Sequence, residues 1–561
     1  MIRFHEIAST APNMEMVSMR YAEFQASILA AADADACIEV IREWDAFLRE
    51  IDSWQALVRL RFNQDTANEG YKKALDECDK LSPKLTDLAV QLKRTILAGP
   101  YGEGIAGDLG TTAPALWQAH VTTYDPAIEK DVVSELKCEA EYVELTASAS
   151  IPVRGESHTL SEIVKFNQVS DRELRHEARS ATWNWFADNG TELDRIYDEL
   201  VRLRTGMSKK LGFEDFVELG YRRMCRIDYR REDVEGFRTA VREHVVPLAS
   251  ELRAKQAGKL SLEHLYEWDL ALQDPRGNPK PLGDHDWMLD RAQEMFDQMG
   301  GEFGSFFRMM RDSQLLDLKS REGKAGGGFC TAFPNHGVPY IFANFNGTKG
   351  DVEVFTHEMG HAFQMFQSRH LPLRDYLWPT MESCEIHSMS LEFLTWPYMD
   401  KFFGEEAERF RRIHLAESLL FLPYGVAVDH FQHLVYENSG ADPVERHRMW
   451  LEMERMYLPD RDYGDMEYPA RGGRWQLQAH IYLDPFYYID YALAQTCALQ
   501  FWERSQVDYD QALADYNTMC RRGGELPFRK LVAETGLQSP FDSGCLEDVV
   551  RRARNALDLK S

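Results

Sequence analysis

Hydrophobic and polar positions follow two periods along this chain. From the N-terminus to about residue 95 the period is helical. "MRYAEFQASILAAADADACIEVIREWDAFLREI" sets apolar residues at three- and four-residue steps between charges, the spacing of one buried helix face. "YKKALDECDKLSPKLTDLAVQLKRTILAG" continues the pattern, and Pro83 predicts a break within it. Residues 99–115, "GPYGEGIAGDLGTTAPA", are rich in Gly and Pro and predict a loop. "AEYVELTAS" reads as strand-like. Helical patterning resumes in "DRELRHEARSATWNWFADN" and "TELDRIYDELVRLRTGMSKKLG".

The one clear strand region is "GGGFCTAFPNHGVPYIFANFNGT". Two β-rich runs flank Pro334-Asn335-His336-Gly337, which predicts an antiparallel hairpin. From Asp351 onward the pattern is mainly helical. The predicted class is mostly α, with a small sheet just before residue 351.

Composition narrows the function. Hydrophobic residues are 44% and aromatics 12% of 561 residues, enough for a large core and against disorder. The net charge of -27 argues against nucleic acid, which needs clustered Lys and Arg. Nine widely spaced cysteines without a CxxC fit reduced thiols better than a disulfide framework or a zinc-thiolate site. No stretch resembles a signal peptide or reaches the ~18 apolar residues of a membrane helix. These features predict a soluble cytoplasmic protein with no membrane partner.

The chemistry concentrates in "THEMGHAFQ", residues 356–364. On a helix over 351–368, Phe355, Met359, Ala362, Phe363 and Phe366 form one stripe, and Glu353, His357, His361 and Gln364 the opposite one. Residues four apart are neighbours on a helix, so both imidazoles can reach one ion. Glu358 lies to the side, where a carboxylate can hold a water without ligating the metal. A solvated polar face would show the same pattern. A catalytic zinc takes three protein ligands. A third His six residues after His361 is absent, because that position is Gln367. "PTMESCEIHSMSLEFL" offers glutamates instead. Glu385 and Glu392 stand seven apart, nearly in line on one helical face, with Glu382 close by. Glu392 is either a carboxylate that orients a ligating imidazole or a surface charge. Glu353 either bonds a ligating ring or is an exposed charge. His430 and His433 read as helix-surface residues, and His370 as a helix-end residue.

These residues resemble the thimet-oligopeptidase and oligoendopeptidase F family of zinc peptidases. The family pattern is HExGH, a glutamate about twenty-five residues on, and another seven later. Here these are His357-Glu358-Met359-Gly360-His361, Glu385 and Glu392. "GKAGGGFCTAFP" with "FANFNGTKGDVEVFTHEMGHAF", and "RWQLQAHIYLDPFYYIDYALAQ", extend the resemblance over most of residues 195–510. The length is closer to oligoendopeptidase F.

The resemblance implies a helical, bowl-shaped body with a deep channel, residues 1–194 walling it and 195–561 forming the catalytic domain. It implies one zinc ion held by His357, His361 and Glu385, with Glu358 as general base. His480 matches the family's His. Tyr488 and Tyr491 have the spacing of its two tyrosines, and Tyr487 competes for either role as an oxyanion donor or substrate contact. Gly326, Gly327 and Gly328 would let a peptide backbone approach an edge strand, or form a flexible surface turn. The implied activity is internal cleavage of short peptides. The alternatives are a dipeptidyl carboxypeptidase of the angiotensin-converting-enzyme type, with Lys324, Arg471 or Arg474 holding a free C-terminus, and a zinc-stabilised peptide-binding scaffold without turnover.

Overall fold

The computed structural model describes residues 2–7 and 10–559. Three long helices open the chain: Met14–Ala30, Ala34–Gln64 and Glu69–Ala98. Asn13, Asp33 and Asn68 accept backbone N–H groups at their starts, which satisfies donors that a helix end leaves free. Their apolar stripes close a core around Trp44, Trp54 and Trp117. Leu371, Leu373 and Tyr376 join that core from far along the chain. Arg374 adds an ion pair to Asp52 at 2.7 Å. The N-terminal helices therefore brace the segment that leaves the HExGH helix.

Three sequence expectations fail in this region. Pro83 does not break its helix, which runs from Glu69 to Ala98. One lost backbone bond is outweighed by burial of Leu75, Cys78, Leu85, Val90, Leu92 and Ile96 along the same face. Residues 99–115 hold the helix Gly102–Leu109 and the start of Thr112–Thr122, not a loop. Gly104 serves packing: a Cβ there would lie 2.5 Å from the Ala34 Cβ. "AEYVELTAS" ends a helix, Glu129–Ala147. Its Glu135, Cys138 and Tyr142 are buried at helical spacing. Glu135 and Glu139 both reach Arg204 across the interface. Tertiary packing overrides the local strand preference.

Strands β1 (Ile151–Val153) and β2 (Glu156–His158) form a small hairpin that the periodicity does not reveal. Arg154 and Gly155 turn it, both at positive φ. The main sheet has the order β3-β5-β4. The predicted hairpin is β4 (Phe329–Phe333) and β5 (Val338–Phe345), antiparallel as expected. Strand β3 (Leu316–Lys319) adds a parallel partner on the other side of β5. Among the described residues β4 therefore has no strand on its outer side.

The helix Arg172–Lys210 runs unbroken through residues 194 and 195, with Leu193, Ile196 and Tyr197 buried. Continuous helix, not a linker, joins the two regions the sequence separates. The nine cysteines are all free. Among the described residues no helix is long and apolar enough to cross a membrane.

Candidate metal centre

Strand β5 leads into the helix Gly350–Ser368, which carries HExGH. Asp351 shapes the junction, accepting the Asn346 and Gly347 N–H groups at 2.9 and 2.8 Å. The apolar stripe packs as its spacing predicts, with the Phe363 ring stacked on Phe303. The polar stripe is not a solvated face. Gln364 is fully buried and bonds the Leu377 carbonyl at 3.0 Å, and His361 is 8% exposed.

A second helix, Met381–Leu394, lies against the first. Gly360 makes this possible, since a Cβ there would sit 2.6 Å from the His387 carbonyl oxygen. The contact brings Glu385 to the imidazoles. Its Oε2 lies 3.1 Å from His357 Nε2 and 3.4 Å from His361 Nε2. One ligand atom from each of the three lies within 4.8 Å of the others. Among the described residues this is the one group of His, Cys, Asp or Glu so arranged. Two imidazoles and a carboxylate are a usual donor set for catalytic zinc. Ser388 donates to Glu385 Oε2 at 2.8 Å, and Tyr487 donates to Oε1.

Glu358 points beside this group. It is 4% exposed, and its Oε2 is buried without a hydrogen-bond partner. Burial pushes its carboxyl above the usual range, partly opposed by the two histidines. An unpaired buried carboxylate oxygen is costly unless a ligand meets it.

Glu392 accepts from His357 Nδ1 at 2.8 Å. Its other oxygen lies 2.7 Å from His414 Nε2, a residue that nothing in the sequence singles out. Glu353 does not bond a ring. It accepts from Lys349 Nζ at 2.7 Å, and Lys349 also meets Glu417. A buried ammonium one turn away is the stronger partner. Glu382 is turned away towards Thr380, which donates to it at 2.7 Å.

His480 and the tyrosines arrive from the segment Ala479–Leu483 and the start of Tyr488–Val507. Gln478 Nε2 is 2.8 Å from His480 Nδ1, and His480 Nε2 is 3.1 Å from the Tyr491 hydroxyl. Burial holds His480 below its usual pKa and favours the neutral ring. Tyr487 and Tyr491 lie ring to ring at 4.9 Å. The Tyr488 ring lies 5.2 Å from the His480 ring and 5.3 Å from the Tyr491 ring, and also packs against Phe421 and Tyr424. Tyr487 and Tyr488 both lie on the helix face of Tyr491, four and three residues before it; Tyr487 reaches Glu385 by a hydrogen bond, and Tyr488 meets the His480 and Tyr491 rings.

The glycine run is ordered. Asn344 Nδ2 donates to the Ala325 and Gly327 carbonyls at 2.9 and 2.8 Å. Gly327 has φ +83, and a Cβ on Gly328 would lie 3.3 Å from Glu358 Oε1. Gly326 borders the same turn. The loop therefore abuts Glu358 at the start of β4. His433 corrects another expectation: it is buried, 3.2 Å from the Tyr221 hydroxyl. His430 meets the Tyr457 hydroxyl at 3.0 Å. His370 ends its helix as expected, its Nδ1 2.8 Å from the Gln367 carbonyl.

A mostly helical chain with HExGH facing a glutamate of a second helix defines a metallopeptidase. Comparison with known proteins agrees. Residues 291–550 match Peptidase family M3, and residues 4–124 match the Peptidase M3 N-terminal domain. The structure of PZ peptidase A with an inhibitor is 43% identical, with full coverage of both chains and a TM-score of 0.98. A structure assigned as oligoendopeptidase F from Bacillus anthracis is 39% identical over 100% of this chain and 99% of that one, with a TM-score of 0.93. Oligoendopeptidase-F from Enterococcus faecium shares the fold at 14% identity and a TM-score of 0.63, over 97% and 98% of the two chains. No curated protein matches the chain. The chain belongs to peptidase family M3 and resembles its oligoendopeptidase F members.

Proposed function

We propose that this protein is a zinc-dependent endopeptidase that hydrolyses internal bonds of short peptides. The observation that carries this reading is the convergence of His357, His361 and Glu385 beside the unpartnered oxygen of Glu358. His357, His361 and Glu385 would hold one zinc ion. When bound there, zinc supplies a Lewis acid that polarises the substrate carbonyl and acidifies water. Glu358 takes the proton of the attacking water and passes it to the leaving amine. His480 and Tyr491 donate hydrogen bonds to the oxyanion, while Tyr487 holds Glu385. The outer side of β4 pairs with an extended peptide, and Gly326–Gly328 keep that approach open to Glu358. Residues 1–194 would wall a substrate channel against the catalytic part, 195–561. Nine free cysteines support a reducing, cytoplasmic setting.

Three observations weigh against a dipeptidyl carboxypeptidase. Lys324 is buried and donates to the Asp317 and Lys319 carbonyls, both at 3.0 Å. Arg474 pairs with Glu267 at 3.3 Å, and Arg471 with Glu467 at 2.6 Å. Lys324 and Arg474 are thus engaged inside the protein, and Arg471 lies in an exposed surface pair.

The test is mass spectrometry of a short-peptide library, half with amidated C-termini, with and without a zinc chelator. Chelator-sensitive internal cuts in both halves are expected. Dipeptides released only from the free-acid half would mean the carboxypeptidase. Zinc-loaded protein that cuts nothing would favour the binding scaffold.

A further inference from the structure

Behind the ligands, three side chains form hydrogen bonds that run in one direction only. Trp396 stands in the short helix Trp396–Tyr398, and His414 in the long helix Ala407–Glu437. Trp396 Nε1 lies 2.9 Å from His414 Nδ1. An indole N–H only donates, so Nδ1 of His414 must accept. The neutral ring then carries its proton on Nε2. That nitrogen is 2.7 Å from Glu392 Oε2 and donates to it. The other Glu392 oxygen is 2.8 Å from His357 Nδ1. With Glu392 accepting at both oxygens, His357 donates through Nδ1. Its lone pair is left on Nε2, the atom that faces Glu385.

We infer that His414, its tautomer held by Trp396, is a positioning residue: it anchors Glu392 as a double acceptor and so fixes which nitrogen of His357 faces the metal. This rests on the reading of His357, His361 and Glu385 as ligands. His414 is 5% exposed. Its ring is clamped by Phe393, Trp396 and Phe410, with centroids at 4.9, 5.7 and 5.7 Å. Such clamping holds the His414 ring in the orientation that presents Nε2 to Glu392. His414 acts through Glu392, since partners behind a ligating imidazole set its orientation and basicity.

The test is zinc affinity of the full chain by chelator competition, with melting of the metal-free protein as a control. His414→Phe keeps the ring among Phe393 and Phe410 but removes both nitrogens. His414→Gln offers its oxygen to Trp396 and an N–H to Glu392. His414→Phe is expected to weaken zinc roughly 10–100-fold, and His414→Gln to stay within a few-fold, with metal-free melting alike for the two. A role in packing alone would give the reverse order. Should His414→Phe not fold, Trp396→Phe replaces it, with a several-fold loss expected because the tautomer is no longer enforced. Wild-type zinc affinity in both His414→Phe and Trp396→Phe overturns the inference. So does a His414→Gln loss as large as that of His414→Phe. Failure of the underlying metal site looks different: the unaltered protein would bind no zinc, or Glu385→Gln would bind it equally well.

Discussion

Gly360 touches the backbone of His387: a Cβ on the glycine would stand 2.6 Å from the His387 carbonyl oxygen and 2.6 Å from the Ser388 Cα. The glycine between the two histidines thus sets the distance between the helix that carries them and the helix that carries Glu385. Backbone, not a flexible side-chain end, occupies the space a methyl would need.

Gly360→Ala should therefore push the helices apart and move Glu385 away from the imidazoles. Overpacking of this kind costs roughly 1–3 kcal/mol. Misplacement of about 1 Å can cost 100-fold in rate. Thermal melting and zinc stoichiometry of the purified variant check both parts. An alanine variant with unchanged melting and full zinc content would contradict the contact.

Glu358→Gln removes the base and keeps the shape. Turnover should fall by about 100- to 10,000-fold, while zinc content stays at one ion per chain. Steady-state kinetics beside elemental analysis decide it. Normal turnover would take Glu358 out of the mechanism.

The tyrosines give a discriminating pair. Tyr487 reaches Glu385 and Tyr491 reaches His480, whereas Tyr488 packs on Phe421 and Tyr424. Tyr487→Phe and Tyr491→Phe should each lower kcat by about 10- to 1,000-fold, with a smaller change in KM. Tyr488→Phe should stay within a few-fold. Kinetics on one fluorogenic peptide suffice, and the opposite ranking would give Tyr488 the oxyanion role.

Acid stability should depend on Glu267, which is not one of the metal-binding group. Burial opposes its ionisation, but Arg179 and Arg474 outweigh this and hold its carboxyl down at about 2. Arg179 Nε donates to it at 2.8 Å. A carboxyl depressed in the folded state stabilises the fold above its unfolded value of about 4.3. That stability is lost as pH falls from there towards 2. Glu267→Gln leaves Arg179 buried without its charge partner and Arg474 with only Glu454, at 3.9 Å. It should destabilise by roughly 3–5 kcal/mol at neutral pH and flatten the acid limb of stability against pH. Urea unfolding at several pH values reads both effects.

Much of the site was legible because its parts are local. His357 and His361 share a face through a spacing of four, which any helix imposes. The hairpin of β4 and β5 was visible because a turn stands between two runs of alternating, strand-forming residues. The errors have the opposite origin. "AEYVELTAS" looks like a strand by composition, yet it is the last two turns of the helix Glu129–Ala147, with Tyr142 and Ala147 buried on its inner face. The glycines of 99–115 look like loop, yet Gly104 serves as a contact point between helices. Propensity is a weak prior that packing routinely overrides.

The sequence by itself determined the helical class, the strand pair before residue 351, the candidate ligands His357, His361 and Glu385, and the place of Glu358 beside them. Most of these follow from spacing within one element, whereas Glu385 is picked out from Glu382 and Glu392 by the family pattern that the sequence resembles. Only the tertiary structure decided that Tyr487 rather than Tyr488 meets Glu385, that Glu353 belongs to Lys349, and that His414 stands behind Glu392. Those pairings join residues on separate elements. Spacing fixes which way a side chain faces on its own helix. What it faces depends on how the helices pack.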